Sequence, residues 1–381
     1  MEAAASHVVI VGGGIAGVES ALTLRSTLPH AQITLIVRTP TLRIRPNLVY
    51  VALGDPGTDH EVPLTSTTLP GIDIRVDEAT AIDRDKQRVT LVSGDHVPYD
   101  TLVLAPGTTP RSSSGMRLRT LQDATRLRDE LINLLHHPRP LHGVVIRDLP
   151  EDNWSPPAYE MAFLIDGWLR AHSMRSRITV TVATCARTPL TTFGPHVAEE
   201  IQRQLDARGI ERIMGVPPGR IEDIQDDLVI DVGGFSAVRM AGEPPARGTG
   251  FFPTDQHGQV APNIYVVGDA ADVPFKGGFT ASWQARRVAR ALGGNMRQLG
   301  ASIDGIPIDE YEYQMDLYGR ILVVRMSTAG LTTLLGMPRA IHLDVIDGRP
   351  VKLRGTLVRE LLVEHLHTAH DVAPPVGNIK T

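Results

Sequence analysis

Gly12-Gly13-Gly14-Ile15-Ala16-Gly17 stands directly behind the apolar run His7–Val11. Glycines at this spacing can cradle a dinucleotide phosphate. Gly12 permits the tight turn, Gly14 lets the backbone approach a pyrophosphate, and Gly17 lets helix and strand pack closely. The helix that follows adds unpaired N–H groups and the positive end of its dipole. A second group lies far downstream, where NIYVVGDAADVP ends in Gly268-Asp269. A carboxylate at a strand end can meet a sugar hydroxyl or a phosphate edge. The stretch FKGGFTASWQARRVARALGG then places glycines before a helix expected from about Phe279 to Leu292.

Other chemistry is missing. The strand QITLIVR ends in Val37, Arg38 and Thr39, without the acidic residue that binds the ribose of NAD. That end suits a differently anchored FAD or a 2′-phosphate. Further on, GVVIR runs into DLPEDNWSPPAYEM, and no glycine stands between Gly143 and Gly167. The strand TVTVATCAR closes on Thr184 and Cys185, again without a carboxylate. Both features of a nicotinamide dinucleotide site are therefore absent there. Cys185 is the single cysteine, so no disulfide can close within the chain and sulfur-shuttling chemistry has no second thiol. It reads as a small, inert residue. His365, His367 and His370 of HLHTAH cannot converge on a helix of ~100° per residue, so no metal site is expected.

The elements that must position these residues read as α/β. His7–Val11, the glycine turn, VESALTLRST and QITLIVR make a strand–helix–strand unit. Strands follow through ATAIDRDKQRVTLVSGDHVPYDTLVLAPGTTP, with a turn at Ser93-Gly94-Asp95 and a bend at Ala105-Pro106-Gly107. A second α/β pattern runs through LHGVVIR, AYEMAFLIDGWLRAH, RITVTVAT and HVAEEIQRQLDARGI. The expected organisation is two Rossmann-like three-layer domains. The first is discontinuous, over 1–114 and 249–300; the second is inserted over 115–248; a C-terminal segment spans 301–381. In that segment GRPVKLRGTLVRELLVEHLHTAHD carries Leu353, Leu357 and Leu361, with Val358, Leu362 and Leu366 alongside, an amphipathic helix flanked by Lys352, Arg354 and Arg359. Such a helix suits its own core, a second subunit or a membrane surface.

Composition fits this organisation. The 381 residues are 42% hydrophobic and 21% charged, enough for sizeable cores. A net charge of −5 without basic tracts argues against a nucleic-acid partner. MEAAAS lacks the marks of a signal peptide, and no apolar run approaches the ~18 residues of a membrane span. With one cysteine, a cytoplasmic home is expected, peripheral at the inner face of a membrane if the tail docks there.

At these residues the chain resembles the two-dinucleotide-binding-domain flavoproteins. The branch is that of sulfide:quinone oxidoreductase, flavocytochrome c sulfide dehydrogenase and type II NADH dehydrogenase. VVIVGGGIAGVESALTLR, ITLIVRTPTLRIRPNLVYVALG, YDTLVLAPGT, PPAYEMAFLI and NIYVVGDAADVPFKGGFTASWQA carry the resemblance in order. It implies FAD as a fixed cofactor. Gly12, Gly14 and Gly17 would hold its pyrophosphate, Asp269 its ribityl chain, Ala105 and Gly107 its edge; Pro46 and Lys276 would lie near the flavin ring. Ile15, Ala16, Arg38, Ala79, Gly268, Phe279, Thr280 and Ala281 complete the expected contacts. The amides of the helix near Phe279 would stabilise negative charge on the reduced flavin.

The family's cysteine just upstream of PAYE is Trp154-Ser155 here, and no cysteine follows Asp269. The expected activity is therefore an FAD-dependent oxidoreductase without sulfide activity. It would oxidise a small organic substrate and pass electrons to quinone, oxygen or a protein. Trp154, Glu160, Lys276, Phe279 and Trp283 are the pocket candidates, and Lys276, Glu160 and Trp283 the catalytic ones. Glu160 reads equally as a base or as a helix carboxylate in a salt link, and Trp283 as pocket or core. Two other readings stand beside this one. One is an NAD(P)H-dependent quinone or ferredoxin reductase using Arg170, Arg175 and Arg187 for phosphate contacts. The other is a flavin-binding interaction subunit. A homodimer is also expected.

Overall fold

The computed structural model describes residues 6–55, 60–137, 142–149, 156–190, 193–246, 250–255, 257–273, 276–293, 310–327 and 339–348. The amphipathic tail and Trp154 lie outside the described residues.

The first sheet runs in the order 259–261, 264–266, 101–104, 7–11, 32–37, 73–76, parallel except for its antiparallel edge pair 259–261 with 264–266. Val8, Val9 and Ile10 in its middle are no more than 1% exposed. Strands covered on both faces read as continuous apolar runs, as VVIV does here. The glycine-turn helix Ile15–Thr27 and the helix Gly278–Leu292 cover one face together, in one core with Ile33, Leu35 and Val103. The antiparallel ribbon of strands 79–83, 88–91 and 96–98 shares the core of the other face with Phe251 and Phe252.

The second sheet is parallel throughout, in the order 211–213, 178–184, 142–149, 228–233. Helices Leu121–His136, Pro156–Ala171 and Pro195–Arg208 build its core. A reciprocal cap starts the first of these. Thr120 Oγ1 accepts the Asp123 N–H at 3.1 Å, and Asp123 Oδ2 accepts the Thr120 N–H at 2.8 Å.

The chain returns to the first unit through strand 235–237, which pairs antiparallel with 108–110, and through a bridge from Ala81 to Ala241. A buried ion pair pins the outgoing crossover. Arg147, 0% exposed, grips Asp231 at 2.6 and 2.8 Å, donates to Ser114 Oγ at 3.0 Å, and Asp231 Oδ2 takes the Gly115 N–H at 2.8 Å.

Strands Glu310–Asp316, Arg320–Ser327 and Arg339–Asp347 form a third, antiparallel sheet that the sequence reading did not foresee. Its Met315, Leu317, Leu322 and Val324 enter the core of the second unit.

Candidate functional site

The C-terminal ends of strands 7–11, 32–37, 101–104 and 264–266 open into one cavity of ≈ 470 Å³. That is the usual place for a ligand on an open parallel sheet and within the ~300–1,000 Å³ of small-molecule sites.

The glycine turn forms its floor. Gly12 has φ +121°, and a Cβ there would lie 2.1 Å from the Ala105 carbonyl oxygen. A Cβ on Gly17 would lie 1.8 Å from the Gly12 carbonyl oxygen, so this glycine serves the helix–strand approach and does not line the cavity. Gly14 caps the helix and lines the cavity, and a Cβ on it meets nothing within 4 Å. Its open side is the room a diphosphate needs. Opposite stand Gly277 and Gly278, which start the second helix. Two helix N-termini thus face one lumen.

Of the residues singled out from sequence, Gly12, Gly14, Ile15, Ala16, Arg38, Pro46, Ala79, Ala105, Gly107, Glu160, Gly268, Asp269, Lys276 and Ala281 line this cavity. Thr280 is buried in the first turn of the second helix and does not line the cavity. The side chain of Phe279 is outside the described residues. Trp283 does not line the cavity; it is 6% exposed in the core shared with Met315 and Leu317, and the Arg287 guanidinium lies over its ring at 5.5 Å.

Lys276 sits at the wall, but its ammonium is turned into the protein. It donates to the carbonyls of Asp269 at 3.0 Å and Ala271 at 2.7 Å, over the face of Phe251 at 3.7 Å. The same turn is tied by Gly277 N–H to Asp269 Oδ1 at 3.0 Å and by Gly268 N–H to Gln284 Oε1 at 2.6 Å. Lys276 therefore holds the Gly268-Asp269 turn in shape.

Sequence reasoning missed four arginines on the wall: Arg43, Arg45, Arg117 and Arg119. Each pair is spaced by two residues, which in extended chain puts both side chains on one side. That Arg-x-Arg spacing, in RIRP and in MRLR, is the signal available in the sequence. Burial pushes Arg45 below its ordinary range against the pull of Asp269, and Arg43 and Arg38 push it further. Burial, then the charge of Arg45, lowers Arg119 to about 10, again against Asp269. Both stay cationic at neutral pH, and a bound anion would relieve their repulsion.

Strand 32–37 ends without an acidic residue, and two carboxylates stand at the end of the neighbouring strand 73–76. Asp77 and Glu78 line the cavity there, with the Asp77 N–H on the Val37 carbonyl at 2.9 Å. Glu78 lies 4.0 Å from Arg38 in an exposed pair. The Gly14 cradle, the cationic wall and these carboxylates fit a dinucleotide.

At the other end the cavity reaches the second unit. Glu160, one turn into helix Pro156–Ala171, is half-buried and lines the cavity wall. Burial pushes it up to about 8, the Asp316 charge adds to this, and the Asp316 backbone N–H, 2.8 Å away, opposes it. Glu160 is thus held by a backbone donor and not by a salt link.

Cys185 is half-buried, and burial with the nearby Asp148 raises its thiol, the opposite of an activated nucleophile. Arg170 and Arg175, offered for nucleotide phosphates, both bind Asp166, at 2.9 and 2.6 Å. Among the described residues, no group of three or more potential ligands could hold a metal, and no helix is long and apolar enough to cross a membrane.

Fold and site define a two-domain dinucleotide-binding scaffold with its ligand cavity at the glycine-turn sheet. Residues 6–146 match the pyridine nucleotide-disulphide oxidoreductase family. The chain is 30% identical over 268 residues to the sulfide-quinone reductase of Aquifex aeolicus, a match spanning 67% of this chain and 60% of that protein's length. The sulfide:quinone oxidoreductase structure from that bacterium superposes with TM-score 0.76, covering 97% of this chain and 93% of that one at 20% identity. The putidaredoxin reductase–putidaredoxin complex gives TM-score 0.63 at 22% identity, covering 96% and 99%. The chain is a relative of the pyridine nucleotide-disulphide oxidoreductases, with the two-domain α/β fold of these structures.

Proposed function

We propose that the protein is an FAD-dependent oxidoreductase that oxidises a small organic molecule without sulfide chemistry and passes the electrons to a quinone, oxygen or a protein. One observation carries this reading. Two helix N-termini and the Arg45–Arg119 wall converge on a single cavity that ends at the buried carboxyl of Glu160.

Gly12 and Gly14, with Arg45 and Arg119, would hold the pyrophosphate; Asp77 or Glu78 the adenosine ribose; Asp269 the ribityl chain; and the amides of Gly277 and Gly278 the flavin ring. When bound, FAD supplies a two-electron acceptor for hydride. The chain's own part is to orient the donor and to manage its proton. Glu160 holds a proton at neutral pH and releases it through about pH 8. Its ionised form accepts the proton that a substrate loses with its hydride, and its acid form returns one to a reduced acceptor. One cysteine in the whole chain leaves no dithiol to carry sulfur or to reduce a disulfide. The acidic, proline-rich DLPEDNWSPP in place of a glycine turn argues against NADH as donor, as does the commitment of Arg170 and Arg175 to Asp166.

The test is an anaerobic absorbance spectrum of the purified protein, recorded before and after NADH and NADPH. Oxidised flavin bands that persist with both nucleotides are expected. A colourless protein overturns the cofactor, and rapid bleaching by either nucleotide makes the protein a nicotinamide-dependent reductase.

A further inference from the structure

Glu160 is one corner of a buried polar cluster built from three distant segments. Its Oε1 accepts the backbone N–H of Asp316 at 2.8 Å. Asp316 is 2% exposed, and its carboxylate takes two donors, the Tyr50 hydroxyl at 3.1 Å and the Tyr318 N–H at 2.7 Å. Tyr50 is 7% exposed on the short helix Leu48–Ala52, whose Val49 lines the cavity.

Two neighbouring buried carboxyls cannot both ionise cheaply. Donors decide which one does. Asp316 has a hydroxyl and a backbone N–H on its carboxylate, whereas Glu160 has one backbone N–H. The surrounding groups do not reverse this. Tyr313 lies on the same strand as Asp316, and burial with the two carboxylates keeps the Tyr50 proton firmly in place. Arg208, the cation approaching from helix Pro195–Arg208, is engaged with the Leu317 carbonyl at 2.6 Å and Asp166 at 3.6 Å. On helix Pro156–Ala171 itself, Pro157 and Met161 line the cavity beside Glu160, both uncharged.

We propose that Glu160, Asp316 and Tyr50 form one proton-holding unit, in which Asp316 is the positioning residue that keeps the proton on Glu160 and Tyr50 is the donor that keeps Asp316 ionised. The C-terminal sheet is then part of the reaction chamber. This rests on the reading of Glu160 as the acid–base group and adds the device that sets its protonation state.

The experiment is an infrared pH titration of the protonated-carboxyl band in the full-length protein, with E160Q to assign the band. In the unsubstituted protein the Glu160 band should vanish through about pH 8. In D316N its midpoint should fall by about one pH unit, since a negative neighbour is lost while the backbone N–H stays. Y50F, which keeps the ring and the packing, should show a second protonated component at pH 7, from Asp316 deprived of its donor. An unchanged midpoint in D316N, or no new component in Y50F, overturns the unit. Flavin absorbance is read on the same samples. The band shift without any flavin would uphold the unit and sink the flavin reading alone.

Discussion

Lys276 illustrates how a residue matched by pattern acquires its role from its contacts. Its place after the Gly-Asp strand end marked it as a group near the flavin, and it does stand at the cavity wall. Its ammonium nonetheless spends its hydrogen bonds on two carbonyls of the turn that presents Asp269. A buried cation bound in this way stabilises a backbone shape; removing it leaves carbonyls unmet at about 1–3 kcal/mol each. K276M should therefore lower unfolding stability by about 2 kcal/mol and weaken flavin retention, as read by urea denaturation and by flavin released on dialysis. A full-stability variant slowed only in flavin reduction would instead give Lys276 a direct chemical role. Glu160 shows the converse. A helix carboxylate in PPAYE is ordinary on paper, and only the fold removes water from it and sets Asp316 beside it.

At the scale of elements, the glycine turn separates two functions that its motif writes as one. Gly17 serves packing and Gly14 lines the cavity, and the two come apart on substitution. G17A forces a methyl to 1.8 Å from a backbone oxygen and should cost more than about 4 kcal/mol or prevent folding. G14A adds a methyl to open space at a helix cap, where alanine caps less well than glycine, so stability should fall by only about 1 kcal/mol. Flavin affinity should drop about tenfold or more as that methyl enters the phosphate's approach, ~1.4 kcal/mol. Thermal unfolding and flavin titration on both variants check the pair; equal flavin affinity in G14A would remove this turn from the phosphate site. Strong period and punctuation made the main elements readable. The helices at 15–27, 156–171 and 195–208 fall where apolar spacing put them, and the helix at Gly278 begins at the glycines that announced it. The strands 310–316, 320–327 and 339–347 were missed although EYEYQMD alternates strictly between polar and apolar residues, the period of a half-buried strand. Their existence rests on pairing with one another and on burying Met315 and Leu322 against the second unit.

Across the whole molecule, a buried ion pair between adjacent strands of the second sheet, Arg147 with Asp231, tethers the segment that crosses from one unit to the other. Arg147 and Asp231 are both fully inside, and together they hold Ser114 and Gly115 where the chain first crosses. Breaking such a pair from one side leaves an unpaired buried charge, costing about 3–5 kcal/mol. R147M should show that loss in urea unfolding, and R147M/D231L should recover much of it. A single variant as stable as the unsubstituted protein would mean that the crossover does not depend on this clamp. Because Asp231 also lines the cavity, the clamp fixes how the second unit meets the ligand-binding one.

By itself the sequence determined the glycine cradle, the Gly268-Asp269 strand end, the return of the chain to its first sheet and the lone thiol. Each is local: a spacing, a strand terminus or a count. Tertiary structure decided the rest. Asp77 reaches the cavity wall only because strand 73–76 pairs beside 32–37. Arg45 and Arg119 form one wall from segments 74 positions apart in the chain numbering (119 less 45). Asp316 meets Tyr50 across 266 residues. Charges at such separations gain their meaning from burial and proximity, and neither is written in a residue's own neighbourhood.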